Sequence, residues 1–164
     1  MISMRIPSLC TLLFFVVMLT GCQTSTGHYL GALADEDRVT DITPVLDAQQ
    51  QWEGFYLTVD SQLRRQAGNY QMSGRLSFSE HARMMYVRVA DVDLTLFLLN
   101  ADNRVVDYRR ATHFIGLRPD DRVPFTVTVP VSDQAVAYTF GYRVTFTDDE
   151  GGTSVNWHLP RTGR

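Results

Sequence analysis

The sequence predicts an all-β fold: an antiparallel sandwich of two sheets with about seven strands. Three observations predict it. Apolar residues recur with a period of two from Trp52 onward, turn-forming residues punctuate the runs every eight to twelve positions, and no long stretch of helical spacing interrupts them. Successive side chains of a strand point to opposite faces, so each run supplies one buried and one wet face. Many short alternating strands favour two packed antiparallel sheets over a parallel α/β sheet. A closed barrel is the alternative, because strand number alone does not separate the two.

The runs follow in order. Phe55, Leu57 and Val59 alternate with Tyr56, Thr58 and Asp60. Tyr70, Met72, Gly74, Leu76 and Phe78 alternate with Gln71, Ser73, Arg75 and Ser77. Val87 and Val89 flank Arg88, and Val92, Leu94, Leu96 and Leu98 continue, with Phe97 and Leu99 filling the opposite face late in that strand. Asn100-Ala101-Asp102-Asn103 is a turn before Arg104–Arg110. Arg118-Pro119-Asp120-Asp121 is the corner before Val123, Phe125, Val127 and Val129. Tyr138, Phe140, Tyr142, Val144 and Phe146 form the next run, and Asp148–Gly152 turns it into a final strand as a hairpin. Trp157 alternates with Val155 and Leu159, which predicts core burial for it.

The amino terminus reads differently. One arginine, Arg5, precedes Leu9–Leu19, an apolar run with only Thr11 polar. A helix needs about 20 residues to span a bilayer core, so this run is too short and fits the apolar segment of a secretory signal. The run closes on Leu19-Thr20-Gly21-Cys22. This LTGC resembles the lipobox of bacterial lipoproteins: an aliphatic residue, two small residues, then cysteine. The resemblance implies cleavage between Gly21 and Cys22 and diacylglycerol on the Cys22 thiol, often with a third acyl chain on the new amino group. Two or three chains hold a protein on a bilayer where one does not. Gln23 follows the cysteine, which in such lipoproteins goes with the periplasmic face of the outer membrane of a Gram-negative cell. The expected organisation is a signal peptide over 1–21, a lipidated tether over 22–51 and a β-sandwich over 52–164. Within the tether, Ile42, Val45 and Leu46 have helical spacing, so Asp41–Gln51 reads equally as a short helix started by Asp41 or as linker.

The strand order "YQMSGRLSF … VDLTLFLLNADNRVVDY … LRPDDRVPFTVTVP … AYTFGYRVTF" is similar to small immunoglobulin-like modules of bacterial envelope lipoproteins, including the FxLyD type. The similarity spans about 75 residues and implies an immunoglobulin-like fold without an active site. The chain departs from the FxLyD motif at Phe97-Leu98-Leu99-Asn100, where the motif's tyrosine and aspartate would stand.

Composition bounds the function. Hydrophobic residues make up 45% of the 164, enough for a packed core. All 15 basic residues are arginine and the net charge is -3, which argues against a nucleic-acid partner that would need a basic face. The two cysteines are Cys10 and Cys22, so the domain holds no disulfide, thiolate metal site or cysteine nucleophile. The histidines His28, His81, His113 and His158 are at least 32 residues apart and make no metal-binding spacing. No G-x-S-x-G or phosphate loop is present. No cofactor is expected.

A few residues remain as candidates. Asp91 and Asp93 share a strand face near Arg88, as a pair of carboxylates that binds a cation or, more simply, a solvated edge that blocks stray strand pairing. Arg109 and Arg110 lie in an arginine-rich span and suit carboxylate or phosphate recognition, although interleaved Asp102, Asp107, Asp120 and Asp121 offer local neutralisation. Trp52 and Trp157, if exposed, are stacking surfaces for a sugar or partner; otherwise Trp52 staples the tether to the sandwich and Trp157 sits in the core. The expected function is a membrane-anchored, non-catalytic interaction or accessory module with an envelope protein partner. The alternatives are a carbohydrate- or peptidoglycan-binding protein or enzyme with a loop-built site, and a secretion-system pilot lipoprotein. A concave pocket with converging carboxylates or an exposed tryptophan would favour the enzyme or carbohydrate-binding alternative.

Overall fold

The structure, a computed structural model, describes residues 28–162. The signal peptide, the lipobox and its cleavage site at Gly21 and Cys22 lie outside the described residues. None of the helices among the described residues is long and apolar enough to cross a membrane.

The strands are β1 (Thr40–Asp41), β2 (Gln49–Glu53), β3 (Leu57–Gln66), β4 (Asn69–Phe78), β5 (Arg88–Leu99), β6 (Val105–Leu117), β7 (Val123–Pro130), β8 (Ala137–Thr147) and β9 (Thr153–His158). Two short helices intervene, α1 (Ile42–Val45) and α2 (Glu80–Met85). The strands form two antiparallel sheets. One has the order β1-β8-β5-β6, with β9 also paired to β8; the other has the order β2-β3-β4-β7. No ladder joins the sheets among the described residues, so the fold is a sandwich and not a closed barrel. Leu57, Val59, Met72, Leu76, Val92, Leu94, Leu96, Val144 and Phe146 fill its centre with no exposed surface.

The turns carry their own chemistry. Asn100 Oδ1 accepts from the backbone N–H of Asp102 at 3.0 Å and of Arg104 at 2.9 Å, closing the β5–β6 connection. Asp148 Oδ1 accepts from the Gly152 N–H at 2.7 Å across the β8–β9 hairpin, where Gly151 has φ of 85°. Ser79 caps α2, its hydroxyl accepting from the Ala82 N–H at 3.3 Å.

Four expectations need correction. First, the region over 22–51 is not a free tether once it reaches the described residues. Ala32, Ala34, Ile42 and Val45 are buried, β1 pairs with β8, and β2 pairs with β3. The folded body therefore begins upstream of residue 52. Second, Asp41–Gln51 is helical only over Ile42–Val45; Leu46 is already extended and Asp47 has φ of 63°. The bare edge of β3 offers Gln49–Glu53 a full ladder of backbone hydrogen bonds, which outweighs weak helical spacing. Third, Phe55 and Val87 precede their strands and are 61% and 58% exposed. Fourth, the described residues form nine strands, two more than the alternation marks, because β1 and β2 carry too little alternation to be read from sequence.

Strand β5 shows why the amino-terminal segment matters. Its late residues Phe97, Leu98 and Leu99 are all fully buried, on both faces of the sheet. Leu98 faces the sandwich core, whereas Phe97 and Leu99 face outward into a second cluster with Ala32, Ala34, Val105 and Ala137. The Tyr29 ring meets Phe97 and Tyr108 edge-on, with centroids 5.3 and 5.4 Å apart. Residues 29–34 are thus a lid over half of the outer face of the first sheet.

Candidate functional site

The other half of that outer face is open. Two cross-strand rows run over it. In the first, Trp157 on β9 stands opposite Arg143 on β8, Arg143 opposite Asp93 on β5, and Asp93 opposite His113 on β6. In the second, Val155 stands opposite Thr145, Thr145 opposite Asp91, and Asp91 opposite Ile115. Residues directly opposite in adjacent antiparallel strands point to the same face, so the rows form one surface. Trp157 is 67% exposed at one lateral edge and Ile115 is 72% exposed at the other.

Strand β9 is inverted relative to the alternation that normally buries a strand. On its core-facing side, Ser154, Asn156 and His158 oppose Phe146, Val144 and Tyr142 of β8. The apolar Val155 and Trp157 point outward instead. Because the side-chain period is two, one residue of register decides which set faces solvent, and here the apolar set does. This overturns core burial for Trp157. The indole makes no ring contact or hydrogen bond with another described residue.

The middle of the face is charged. Asp93 Oδ1 lies 2.9 Å from Arg110 Nε and 3.3 Å from His113 Nδ1. Neither donor is aligned as a hydrogen bond, and that oxygen is screened from solvent. Asp91 Oδ2 accepts from the Thr145 hydroxyl at 2.9 Å. Ligand atoms of Asp91, Asp93 and His113 lie within 4.8 Å of one another, the spacing a cation could bridge. Against this, Arg110 already holds a positive charge on the oxygen that a cation would need. Arg143 makes no ion pair with another described residue.

The candidates read from sequence are separated by the fold. Trp52 is 5% exposed and packs against Phe140, Tyr142 and His158, under the Arg38 guanidinium. Its burial fits the staple and leaves little ring surface to stack on. Arg109 and Arg110 diverge: Arg110 shares the outer face with Thr95, and Arg109 lies opposite Leu96 and pairs with Asp107 at 2.9 Å. Only Arg110 belongs to the open face. Sequence alone singles out neither Arg143 nor His113 as part of this face, and it favours the core for Trp157 over a stacking surface. The signal for Trp157 was present as the stripe Val155-Trp157-Leu159, but a stripe does not say which way its strand is turned.

The second sheet offers a weaker candidate. A shallow groove of about 330 Å³ is lined by Gln49, Asp60, Ser73, Arg75, Ser77 and Arg122. Asp60, Ser73, Arg75 and Ser77 are wet-face positions of the alternating β3 and β4, and nothing apolar is displaced among them. No family model, curated protein or solved structure matches the chain.

Proposed function

We propose that the chain is a lipid-anchored, non-catalytic envelope module that works by binding, with the open half of the outer sheet face as its binding surface. The anchor is Cys22, at the periplasmic face of the outer membrane, and its support is the apolar run ending in LTGC. The single observation that carries the binding surface is the inverted β9, which turns Trp157 outward beside Arg143. An exposed tryptophan next to polar groups of both signs is the composition of binding surfaces in general. Engaged carboxylates and a charge-balanced centre suit recognition more than proton transfer.

The exposed Trp157 beside Asp91 and Asp93 also favours a second reading, a carbohydrate-binding protein, with the ring as stacking platform and the carboxylates as hydroxyl acceptors.

Two measurements test the proposal. Replacing Cys22 with serine should remove the acyl mass and release the protein from the outer-membrane fraction; unchanged mobility and location would refute the anchor. A photocrosslinker at Val155 should react with a partner, lipid or protein, in intact cells, and one at Thr126, on the outer side of the second sheet, should not. Equal capture from both positions would refute the assignment of the surface.

A further inference from the structure

We infer that the occupant of the open sheet face is the headgroup layer of the bilayer itself, so that the domain lies on the membrane through Trp157, Ile115 and Arg143. The inference rests on the Cys22 anchor proposed above and adds the orientation of the domain. The first argument is reach. Seven residue steps separate Cys22 from Tyr29, at most about 25 Å of extended chain. Tyr29 is fixed, its ring seated on Phe97 and Tyr108 on the outer face of the first sheet. Phe97 and Asp93 are four residues apart on β5, about 13 Å along the strand. The second sheet lies roughly 10 Å further from the anchor, on the other side of the core. The described chain thus starts on the first sheet's outer side, and a tether of this length lets that face rest on the surface.

The second argument is the chemistry of the face. Trp157 on β9 and Ile115 on β6 place exposed apolar groups at its two lateral edges. Tryptophan suits the bilayer–water interface, where its ring meets the acyl boundary and its N–H stays wet. Between them stand two arginines, Arg110 and Arg143, and two carboxylates, Asp91 and Asp93. Arginine can keep its guanidinium at the phosphates while its stem lies along apolar surface. Equal numbers of both signs match a zwitterionic headgroup layer, in which phosphates and ammonium groups alternate. The second sheet's outer side carries polar residues and the prolines Pro124 and Pro130; its large exposed apolar side chains, Phe55, Met84 and Met85, lie in the connections beyond the strand ends and not on that face.

The test uses the full acylated chain reconstituted into vesicles of phosphatidylethanolamine and phosphatidylglycerol carrying bromine near the headgroup end of the acyl chains. The tryptophans are Trp52, which is buried, and Trp157. The inference expects quenching of the emission and its loss in W157F. Moving the reporter across the face, as I115W on the W157F background, should restore quenching; T126W on that background should not. If the protein floats with the vesicles but Trp157 is not quenched, the lipid contact is overturned and the anchor stands. If the protein does not float, the anchor fails and this inference with it. Protection of Trp157 only on addition of peptidoglycan fragments, or only with a protein captured at Val155, also overturns it.

Discussion

Trp52 and Thr139, 87 residues apart, are joined by a buried hydrogen bond from the indole Nε1 to the threonine Oγ1 at 3.2 Å. The same hydroxyl donates to the Arg38 carbonyl at 2.8 Å. One side chain thus ties β2 of the second sheet, β8 of the first and the segment before β1 into a single body.

Replacing Thr139 with valine keeps the shape and removes both bonds. The indole N–H is then left in a buried site and the Arg38 carbonyl in a half-buried one, and an unsatisfied buried polar group costs about 1–3 kcal/mol. T139V should lower the urea midpoint by an amount in that range with the denaturant slope unchanged, and T139S should recover most of it. An unshifted midpoint for T139V would mean that the bond contributes nothing.

Gly74 occupies a core-side position of β4, between Met72 and Leu76. A Cβ added there would stand 2.3 Å from the Asp60 carbonyl oxygen and 3.0 Å from Ser61 Cα. Both are backbone atoms of β3, so relief requires the strands to separate. G74A should destabilise by about 1–3 kcal/mol, the usual range for overpacking a core. S73A, one residue away on the wet face, should be near neutral. Thermal unfolding of the two variants side by side checks this.

Much of the sandwich was legible because Tyr70–Phe78, Val123–Val129 and Tyr138–Phe146 alternate cleanly and are bounded by Asn, Asp, Pro and Gly. What escaped depended on contacts between distant segments. Gln49–Glu53 is polar and carries no pattern; only the bare edge of β3 makes it a strand. Phe97 and Leu99 announced a second apolar face on β5, yet nothing local says that Ala32 and Ala34, two small residues in an acidic stretch, cover it. Trp157 was assigned to the core because its stripe gives a period but no direction. The two carboxylates Asp91 and Asp93 were visible as a pair; that His113 and Arg110 join them follows from the β5–β6 register and its shift between Leu94 and Thr95.

His158 gives the stability a pH dependence. Burial lowers its pKa from the ordinary histidine value of 6.5, and the nearby Arg38 and Arg161 act the same way, while Asp35 opposes them. A group whose folded pKa is depressed binds fewer protons in the native state than in the unfolded chain. The unfolded chain takes up its proton first as pH falls below about 6.5, so stability declines through that window. H158F, which keeps a ring against Trp52 and Tyr142, should remove this part of the decline. Urea midpoints at pH 7.5 and pH 5.5 for both proteins check it; an equal decline in both would exclude His158 as its source.

The lid over Phe97 is testable through Ala32, which is 2% exposed. A32E forces a choice between burying an unpaired carboxylate and lifting residues 29–34 away from the sheet. Burying the charge costs several kcal/mol even after relaxation. Lifting the lid uncovers Phe97 and Leu99, at about 1.5–3 kcal/mol for each large apolar side chain fully exposed, and leaves the main core between the sheets intact. Lifting also restores water to the carboxylate and frees backbone, so opening is the cheaper response. The variant should therefore keep a cooperative unfolding transition while gaining protease cuts between 29 and 35 and binding of a dye that seeks apolar surface. A32S, nearly the same size, should do neither. If A32E resists cleavage and binds no dye with its midpoint unchanged, residues 29–34 do not cover the sheet, and the short path from Cys22 to a fixed Tyr29 loses its support.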